Sequence, residues 1–286
     1  MGSVLEETKF LMKKYHISAN KSLGQNFLID DTIIGEIVAS ADIQKDDLVI
    51  EIGPGLGTLT SHLLEKAGKV IAIELDDRML QILQERFYLY HNFLLINQDV
   101  LKVDLLQLIE EQKSELIHVK IVANLPYYIT TPIIMKLLEE KLPIDSITVM
   151  VQKEVADRIT ALPGEKASGA ITYSVYYYAQ PQKVTFVPKD CFLPSPEVDS
   201  EVIQLAIRRN APVELADEAL FFKIIKASFS QRRKTLINGL VNSHIVSDKE
   251  EGKKLLEKLG LDENIRGEKL SIQQFAEMAN IVSHKA

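Results

Sequence analysis

Short apolar runs rich in β-branched residues alternate with helix-type patterns along the first two thirds of the chain. The runs are continuous rather than alternating, which predicts buried strands at 48–52, 70–73, 93–96, 119–123 and 147–151. Helical segments between successive runs are typical of crossover connections and predict a mostly parallel sheet covered on both faces. Thr131 and Pro132 predict the N-cap and first turn of one such helix. Late runs at 183–187 and 201–207 are expected to close the sheet as an antiparallel hairpin.

The pattern changes after residue 210, where no strand-like run follows and the helical segments become short. Two of these segments begin with the Ser-x-x-Glu/Gln pattern of a capping box, at Ser247 and at Ser271. The chain is long enough for one α/β domain and a smaller second domain. We therefore expect an α/β domain at 1–210 and a small helical domain at 211–286.

The composition excludes several classes of protein. Hydrophobic residues make up 46% and charged residues 26% of the chain, which is ordinary for a globular domain. The one cysteine, Cys191, excludes a disulfide framework within the chain and fits a reducing cytosol. The six histidines have no ligand spacing, so no metal site is expected. Because neither a secretory-type N-terminus nor a bilayer-length apolar stretch is present, we expect a cytoplasmic protein without a membrane partner.

Charge is unevenly distributed along the chain, whose formal net charge is −7. Residues 8–29 contain four lysines and no acid, and residues 219–247 contain five cations and no acid. The rest of the chain therefore carries −16. Two basic segments on an acidic body can bind a polyanion locally. The alternative, a pair of solvated helix faces, is left open by the charge pattern.

A glycine-rich turn joins the first predicted strand to the helix that follows it, in Glu51-Ile52-Gly53-Pro54-Gly55-Leu56-Gly57. Such a turn lets a ligand approach the backbone and the amides of the helix N-terminus. A nicotinamide-binding fold would place a further glycine where this chain has Thr58. Glu51 beside the turn would repel a pyrophosphate, whereas it would favour a cationic ligand.

Two more acids follow the next two predicted strands. Glu74 lies about 20 residues after the glycine turn, where an acid can accept both hydroxyls of a ribose. Asp99 is placed to accept the exocyclic amine of an adenine. Each acid alone is more often a helix cap than a ligand. Together they form an acidic pocket that suits S-adenosylmethionine, which carries a sulfonium and an ammonium.

The tetrapeptide Asn124-Leu125-Pro126-Tyr127 places an amide, a rigid turn and an aromatic ring at the end of a predicted strand. The exocyclic amine of adenine is a poor nucleophile because its lone pair is delocalised into the ring. The Asn124 oxygen and a backbone carbonyl beside it can accept both N–H groups and favour a more pyramidal nitrogen. Tyr127 can stack on the base, a contact worth roughly 1–3 kcal/mol. The plainer alternative is a strand end with a half-buried tyrosine.

With these motifs together, the sequence resembles the ribosomal RNA adenine N6-dimethyltransferases, and among them the bacterial enzymes of the small subunit. The resemblance covers nearly the whole chain. It rests on the glycine turn, Glu74, Asp99, the Asn-Leu-Pro-Tyr signature and the segments 21–28, 192–200 and 229–234. It implies an α/β fold of the Rossmann-like S-adenosylmethionine-dependent methyltransferase type, with a small C-terminal helical domain.

The resemblance also implies roles for individual residues. Within a basic N-terminal segment at 1–29, part of the chain would fold over the cofactor as a lid. The implied cofactor contacts are Asn26, Leu28, Gly53, Glu74, Asp99 and Asn124. The residues implied to hold the target adenine are Asn124, Leu125, Pro126, Tyr127 and Phe192. Phosphate contacts to the flanking RNA are expected from Lys13, Lys14, Lys21, Lys223, Lys226, Arg232, Arg233 and Lys234.

The implied reaction is methylation of two adjacent adenosines in the loop of the 3′-terminal hairpin of 16S rRNA, within an assembling 30S subunit. Each target base would leave its stack to reach the pocket. The C-terminal helices would bind the rRNA or the subunit, and a monomer is expected. Two alternatives stay open: a 23S rRNA adenine dimethyltransferase of the macrolide-resistance type, and a mainly non-catalytic 30S assembly factor.

Overall fold

The computed structural model describes residues 3–20, 23–113, 116–231 and 234–284. Backbone contacts group the chain into two compact units, Met1–Ala156 with Pro181–Ile207 and Asp157–Gln180 with Arg208–Ala286. The chain therefore passes between the units three times, and the expected boundary near residue 210 lies close to the last of these crossings. The segment Asp157–Gln180, which the sequence pattern assigned to the α/β domain, groups with the C-terminal residues.

The strands form a large sheet and a small ribbon. In the described residues they are β1 (Phe27–Leu28), β2 (Asp47–Ile52), β3 (Lys69–Glu74), β4 (Phe93–Asn97), β5 (His118–Asn124), β6 (Ser146–Gln152), β7 (Ala179–Val187), β8 (Phe192–Leu193) and β9 (Ser200–Ile207). Seven of them form one sheet in the order β4-β3-β2-β5-β6-β9-β7. Neighbours from β4 to β6 run parallel, and β9 pairs with β6 antiparallel. Strands β1 and β8 pair antiparallel as a separate ribbon.

The central strands are buried, and helices pack against the sheet. Every residue of β2 is buried, including Asp47 and Glu51 beside its apolar residues. Ile50 in β2 pairs with Ile71 in β3 and with Ile121 in β5, so apolar rows continue across the sheet. Because parallel strands end at the same edge, the residues that follow β2, β3 and β5 meet there.

The helices of the first part of the chain are α1 (Val4–Lys14), α2 (Asp31–Ser40), α3 (Thr58–Lys66), α4 (Asp77–Phe87), α5 (Leu105–Lys113), α6 (Thr130–Glu139) and α7 (Lys153–Thr160). Helix α1 begins with a capping box between Ser3 and Glu6. The predicted N-cap of α6 at Thr131 is wrong, because the helix already begins at Thr130. The Thr130 hydroxyl donates instead to the Pro126 carbonyl at 3.1 Å, which ties the helix start to the preceding turn.

Gly57 joins the glycine turn to α3 in a backbone conformation that favours glycine. Its φ is 82°, in the left-handed region. A β-carbon at this position would lie 2.6 Å from Cε2 of Phe87 and 2.9 Å from Cδ2 of Leu83. The third glycine of the turn therefore permits close packing against α4.

The second unit has its own helical core. Its further helices are α8 (Ala170–Tyr178), α9 (Glu218–Phe229), α10 (Leu236–Asn242), α11 (Lys249–Lys258) and α12 (Ile272–Ser283). Helix α9 lies at the centre and contacts α8, α10 and α12. Tyr173 is fully buried, and its hydroxyl donates to the Leu270 carbonyl at 2.6 Å and accepts from the Gly164 amide at 3.1 Å. Burial of this phenol is therefore compensated by hydrogen bonds.

The two capping boxes predicted for the C-terminal helices have different outcomes. The box at Ser271 is confirmed, with reciprocal bonds between Ser271 and Gln274. The box at Ser247 is wrong by one residue, because Asp248 is the N-cap of α11 and accepts from the Glu251 amide. Asp and Ser are equally good N-caps, so the adjacent pair left the helix start ambiguous in the sequence.

Candidate active site at the carboxyl ends of the strands

A cavity opens at the carboxyl ends of the parallel strands. Its wall includes the lid segment, defined here as residues 23–28, and the ranges 51–56, 73–75, 98–100 and 124–129. Each residue predicted to contact the cofactor or the target base lies on this wall: Asn26, Leu28, Gly53, Glu74, Asp99, Asn124, Leu125, Pro126, Tyr127 and Phe192. The strand order brings these residues together although they are far apart in the sequence.

The wall of the cavity is acidic. It carries Glu51, Glu74 and Asp99, and its described residues include no lysine, arginine or histidine. Burial raises the pKa of Glu51 to about 8, and the nearby charge of Glu74 adds to this rise. The Thr60 hydroxyl, which donates to Glu51 at 2.6 Å, acts in the opposite direction. A positively charged ligand in the cavity would lower the pKa of Glu51 and favour its charged form.

The carboxylate of Glu74 links the end of β3 to the glycine turn. It accepts the Gly55 amide at 3.0 Å and the Leu75 and Asp76 amides at 2.8 Å each. Burial raises its pKa, although these three hydrogen bonds favour the charged form. A carboxylate has about four acceptor positions, so acceptor capacity remains for a ligand hydroxyl.

The side-chain amide of Asn124 is oriented by the lid segment. Its Nδ2 donates to the backbone carbonyl of Asn26 at 3.2 Å. Because a carbonyl only accepts, the nitrogen end of the amide faces the lid and Oδ1 faces away from it. Asn26 in turn donates to the carbonyl of Gly24 at 3.2 Å. Asn124 therefore presents an acceptor, which is the group that an exocyclic amine requires.

The lid segment is also paired with the chain that carries Phe192. Phe27 lies opposite Leu193, and Leu28 lies opposite Phe192, in the ribbon of β1 and β8. Phe192 is only 3% exposed and packs in the hydrophobic core as well as on the cavity wall. The predicted cofactor lid and the predicted second aromatic contact of the target base thus belong to one small ribbon.

Sequence reasoning did not identify a polar cluster that holds the lid segment, here called the latch (Gln25, Asp76 and Arg78). Gln25 Nε2 donates to Asp76 Oδ2 at 2.8 Å, and Arg78 Nε donates to Asp76 Oδ1 at 2.9 Å. Arg78 also donates to the Ser18 carbonyl at 3.3 Å. The hydrogen bond from Arg78 lowers the pKa of Asp76 and keeps it charged. The sequence feature that could have pointed to the latch is Asp76, which lies two residues after Glu74.

The two tyrosines at the end of β5 have different environments. Tyr127 is half-buried, and its hydroxyl shares a hydrogen bond of 2.7 Å with Ser200. Burial raises the pKa of this phenol, which stays neutral. The next residue, Tyr128, also lies on the cavity wall but is 59% exposed. The sequence motifs did not single out Tyr128.

Of the side chains predicted to bind RNA, three lie outside the described residues: Lys21, Arg232 and Arg233. In the first unit Lys13 and Lys14 are exposed in the last turn of α1. Lys14 lies 3.4 Å from Glu85, so its charge is partly offset by an acid. The predicted residues of the second unit that the structure describes are all exposed: Lys223, Lys226 and Lys234. Lys223 and Lys226 are one turn apart on α9 and share a face.

The described part of the chain contains no cluster of three or more His, Cys, Asp or Glu side chains arranged to hold a metal ion. In the same residues no helix has the length and apolar character needed to cross a membrane. The groups available for chemistry on the described cavity wall are carboxyls, side-chain amides, hydroxyls, backbone carbonyls and aromatic rings.

The parallel sheet with this cavity at its carboxyl edge defines the Rossmann-like methyltransferase class, which confirms the predicted fold. The structure superposes on a dimethyladenosine transferase from Plasmodium falciparum with a TM-score of 0.74 and 26% identity, covering 90% of this chain and 97% of that one. A profile described as ribosomal RNA adenine dimethylase matches residues 16–284. The chain therefore belongs to the ribosomal RNA adenine dimethylase family, whose methyl donor is S-adenosylmethionine.

Relatives that match nearly the full length of this chain are also named as ribosomal RNA methyltransferases. A protein from Lachnoclostridium phytofermentans, named ribosomal RNA small subunit methyltransferase A, is 50% identical over 98% of this chain and 97% of its own. A protein of that name from Oceanobacillus iheyensis is 48% identical over 96% of this chain and 93% of its own. The 23S rRNA methyltransferase ErmE has a TM-score of 0.67 at 23% identity, covering 90% of this chain and 100% of that one, which shows the shared fold alone.

Proposed function

We propose that this chain dimethylates the N6 amines of two adjacent adenosines in the loop of the 3′-terminal hairpin of 16S rRNA. The substrate is the assembling 30S subunit in the cytoplasm, and the enzyme acts as a monomer. The observation that carries the proposal is the Asn124 acceptor beside an acidic cavity, in a chain with small-subunit methyltransferases as relatives. The same relatives disfavour a 23S rRNA enzyme.

The cavity fits S-adenosylmethionine in charge and in the position of its polar groups. Glu74 accepts a ribose hydroxyl at its remaining acceptor position, and Asp99 accepts a hydrogen bond from the adenine amine. Gly53 borders the methionine part, since a β-carbon there would meet nothing within 4 Å and the backbone is open to a ligand. Asn26 and Leu28 cover the cofactor from the lid segment. When bound, the cofactor supplies a methyl group that is already activated and has a neutral leaving group.

The protein contributes position and hydrogen bonding to the transfer. Asn124 Oδ1 and the backbone carbonyl of Leu125 accept the two N–H groups of the target amine, which makes its lone pair more available. Alignment of this kind can lower a barrier by about 7–11 kcal/mol. The amine loses its proton to water after methylation, so no general base is needed. After the first transfer one N–H remains, and either acceptor can hold it.

The target base reaches this position by leaving its stack. Tyr127 stacks on one face of the base, Phe192 contacts it from the ribbon, and Pro126 fixes the turn between Leu125 and Tyr127. Stacking offsets part of the cost of extruding the base. The exposed lysines on α1 and α9 contact phosphates of the flanking RNA, which set the register without reading the sequence.

The proposal is tested with 30S and 50S subunits from cells that lack this activity, incubated with the protein and S-adenosylmethionine. Nucleoside mass spectrometry is expected to find N6,N6-dimethyladenosine in the 30S subunits and none in the 50S subunits. Asn124→Ala is expected to reduce the rate at least about 10²-fold, as loss of one preorganised hydrogen bond does in other enzymes.

The matched control for this variant is Asn264→Ala, at an exposed position of the second unit outside the cavity wall. It is expected to keep the wild-type rate. Methylation of 50S subunits, or full activity in Asn124→Ala, would contradict the proposed function.

A further inference from the structure

Tyr128 combines two properties that the proposed target-base contacts do not explain. It lies on the wall of the cavity, and its side chain is 59% exposed. A single exposed aromatic residue is ordinary on a protein surface. This one is different because it directly follows Tyr127 and is both part of the cavity wall and exposed to solvent.

One side of the Tyr128 ring lies against the lid segment. A β-carbon built on Gly24 would lie 3.3 Å from Cδ1 and 3.6 Å from Cε1 of Tyr128, so the ring packs on the backbone of the lid segment. Gly24 has a φ of +60°, a conformation that favours glycine and leaves this space open. The Ile129 amide donates to the Pro126 carbonyl at 3.2 Å and fixes the turn that carries Tyr128. The result is a supported ring with a solvent-facing surface.

The charge of the cavity indicates which part of an RNA this ring can hold. Glu74 and Asp99 lie on the same wall, and a phosphate close to their carboxylates would be repelled. A neutral aromatic face has no such conflict with a base. Base stacking on an aromatic side chain is also tolerant of sequence, because every base has a π-face.

We propose that Tyr128 forms a second base subsite, where it stacks on the nucleotide next to the adenine in the pocket. The proposal rests on the function proposed above. Because stacking does not use the N–H groups of a base, the subsite accepts dimethylated adenine as well as the unmodified base. One adenosine can therefore rest on Tyr128 while its neighbour is methylated.

The test compares Tyr128→Ala, Tyr128→Leu and Tyr128→Phe with the wild type, using undermethylated 30S subunits. The alanine and leucine variants are expected to raise KM for the subunits about 5- to 150-fold, which corresponds to about 1–3 kcal/mol of stacking. The phenylalanine variant retains the ring and is expected to stay within about 2-fold of the wild type. The leucine side chain still fills the space beside Gly24, so a defect in Tyr128→Leu would not be caused by displacement of the lid segment.

The control is Tyr88→Ala, which removes a tyrosine that is 75% exposed and absent from the cavity wall. It is expected to leave KM unchanged. The dissociation constant of S-adenosylmethionine, measured by calorimetry, is expected to be the same in all variants. An unchanged KM in Tyr128→Ala, or a defect confined to cofactor binding, would overturn the subsite and leave the proposed function intact. A wild-type protein that does not methylate 30S subunits would overturn both.

Discussion

Replacing Glu51 by glutamine tests the electrostatics of the cavity. Glu51 is 2% exposed, and its carboxyl accepts a hydrogen bond of 2.6 Å from Thr60. Burial raises its pKa from 4.5 to about 8. Glutamine has nearly the same shape and keeps an acceptor for Thr60, but it cannot ionise. The variant therefore isolates the cost of placing a negative charge at this position.

The expected effect on stability follows from the direction of the pKa shift. The unfolded chain releases this proton near pH 4.5, whereas the folded protein keeps it to about pH 8. Between these values the folded state binds more protons, so the free energy of unfolding falls as the pH rises. The slope is up to about 1.4 kcal/mol per pH unit, on the order of 5 kcal/mol over the whole window. Glu51→Gln lacks this slope.

The assay is urea unfolding of the wild type and Glu51→Gln at a series of pH values. In the difference between the two proteins, contributions from the second unit and from other titrating groups cancel. The wild type is expected to lose roughly 3 kcal/mol relative to the variant between pH 5.5 and pH 7.5. A difference that stays constant within about 0.5 kcal/mol would refute the account of a buried, neutral Glu51. Calorimetric titration with S-adenosylmethionine in two buffers of different ionisation enthalpy adds a second check. The cationic ligand is expected to displace a proton from Glu51, so the binding enthalpy should depend on the buffer in the wild type and not in Glu51→Gln.

Two further predictions concern the packing of the glycine turn and the latch. Gly57→Ala places a β-carbon 2.6 Å from Phe87 and forces a left-handed φ, so thermal unfolding is expected to show a loss of about 1–3 kcal/mol. Gly35→Ala, a helical position with open space, is its control and is expected to gain up to about 1 kcal/mol; equal stabilities would contradict the packing argument. Arg78→Ala removes a partly exposed partner of the latch and is expected to weaken S-adenosylmethionine binding about 3- to 10-fold by calorimetry, with kcat unchanged at saturating cofactor. An unchanged dissociation constant would show that the latch does not hold the lid segment.

The parallel part of the fold could be predicted from the sequence because each strand has a local signature. Strands β2 and β3 contain the continuous apolar runs 48–50 and 70–73, and the helix between them has its own periodicity. The sequence also predicted that β7 and β9 lie in this sheet, since both apolar runs are long enough to recognise. The grouping of Asp157–Gln180 with the C-terminal helices was not, because it depends on tertiary packing of side chains such as Tyr173.

The cavity could be predicted only in part, because several of its contacts join residues that are far apart in the sequence. Glu74 and Asn124 could be identified because they follow recognisable strands. The ribbon of β1 and β8 is two residues long on each side, which is too short for any periodic signal. The orientation of the Asn124 amide depends on a carbonyl of that distant segment. Tyr128 belongs to no motif, and its place on the cavity wall beside the lid segment could be recognised only in the structure.

The most direct test of the account is a crystal structure of the protein with bound S-adenosylmethionine. The ribose is expected within hydrogen-bond distance of Glu74, the adenine amine at Asp99, and the methyl group directed towards Asn124 Oδ1. A cofactor bound outside the acidic cavity, or one whose methyl group points away from Asn124, would contradict it.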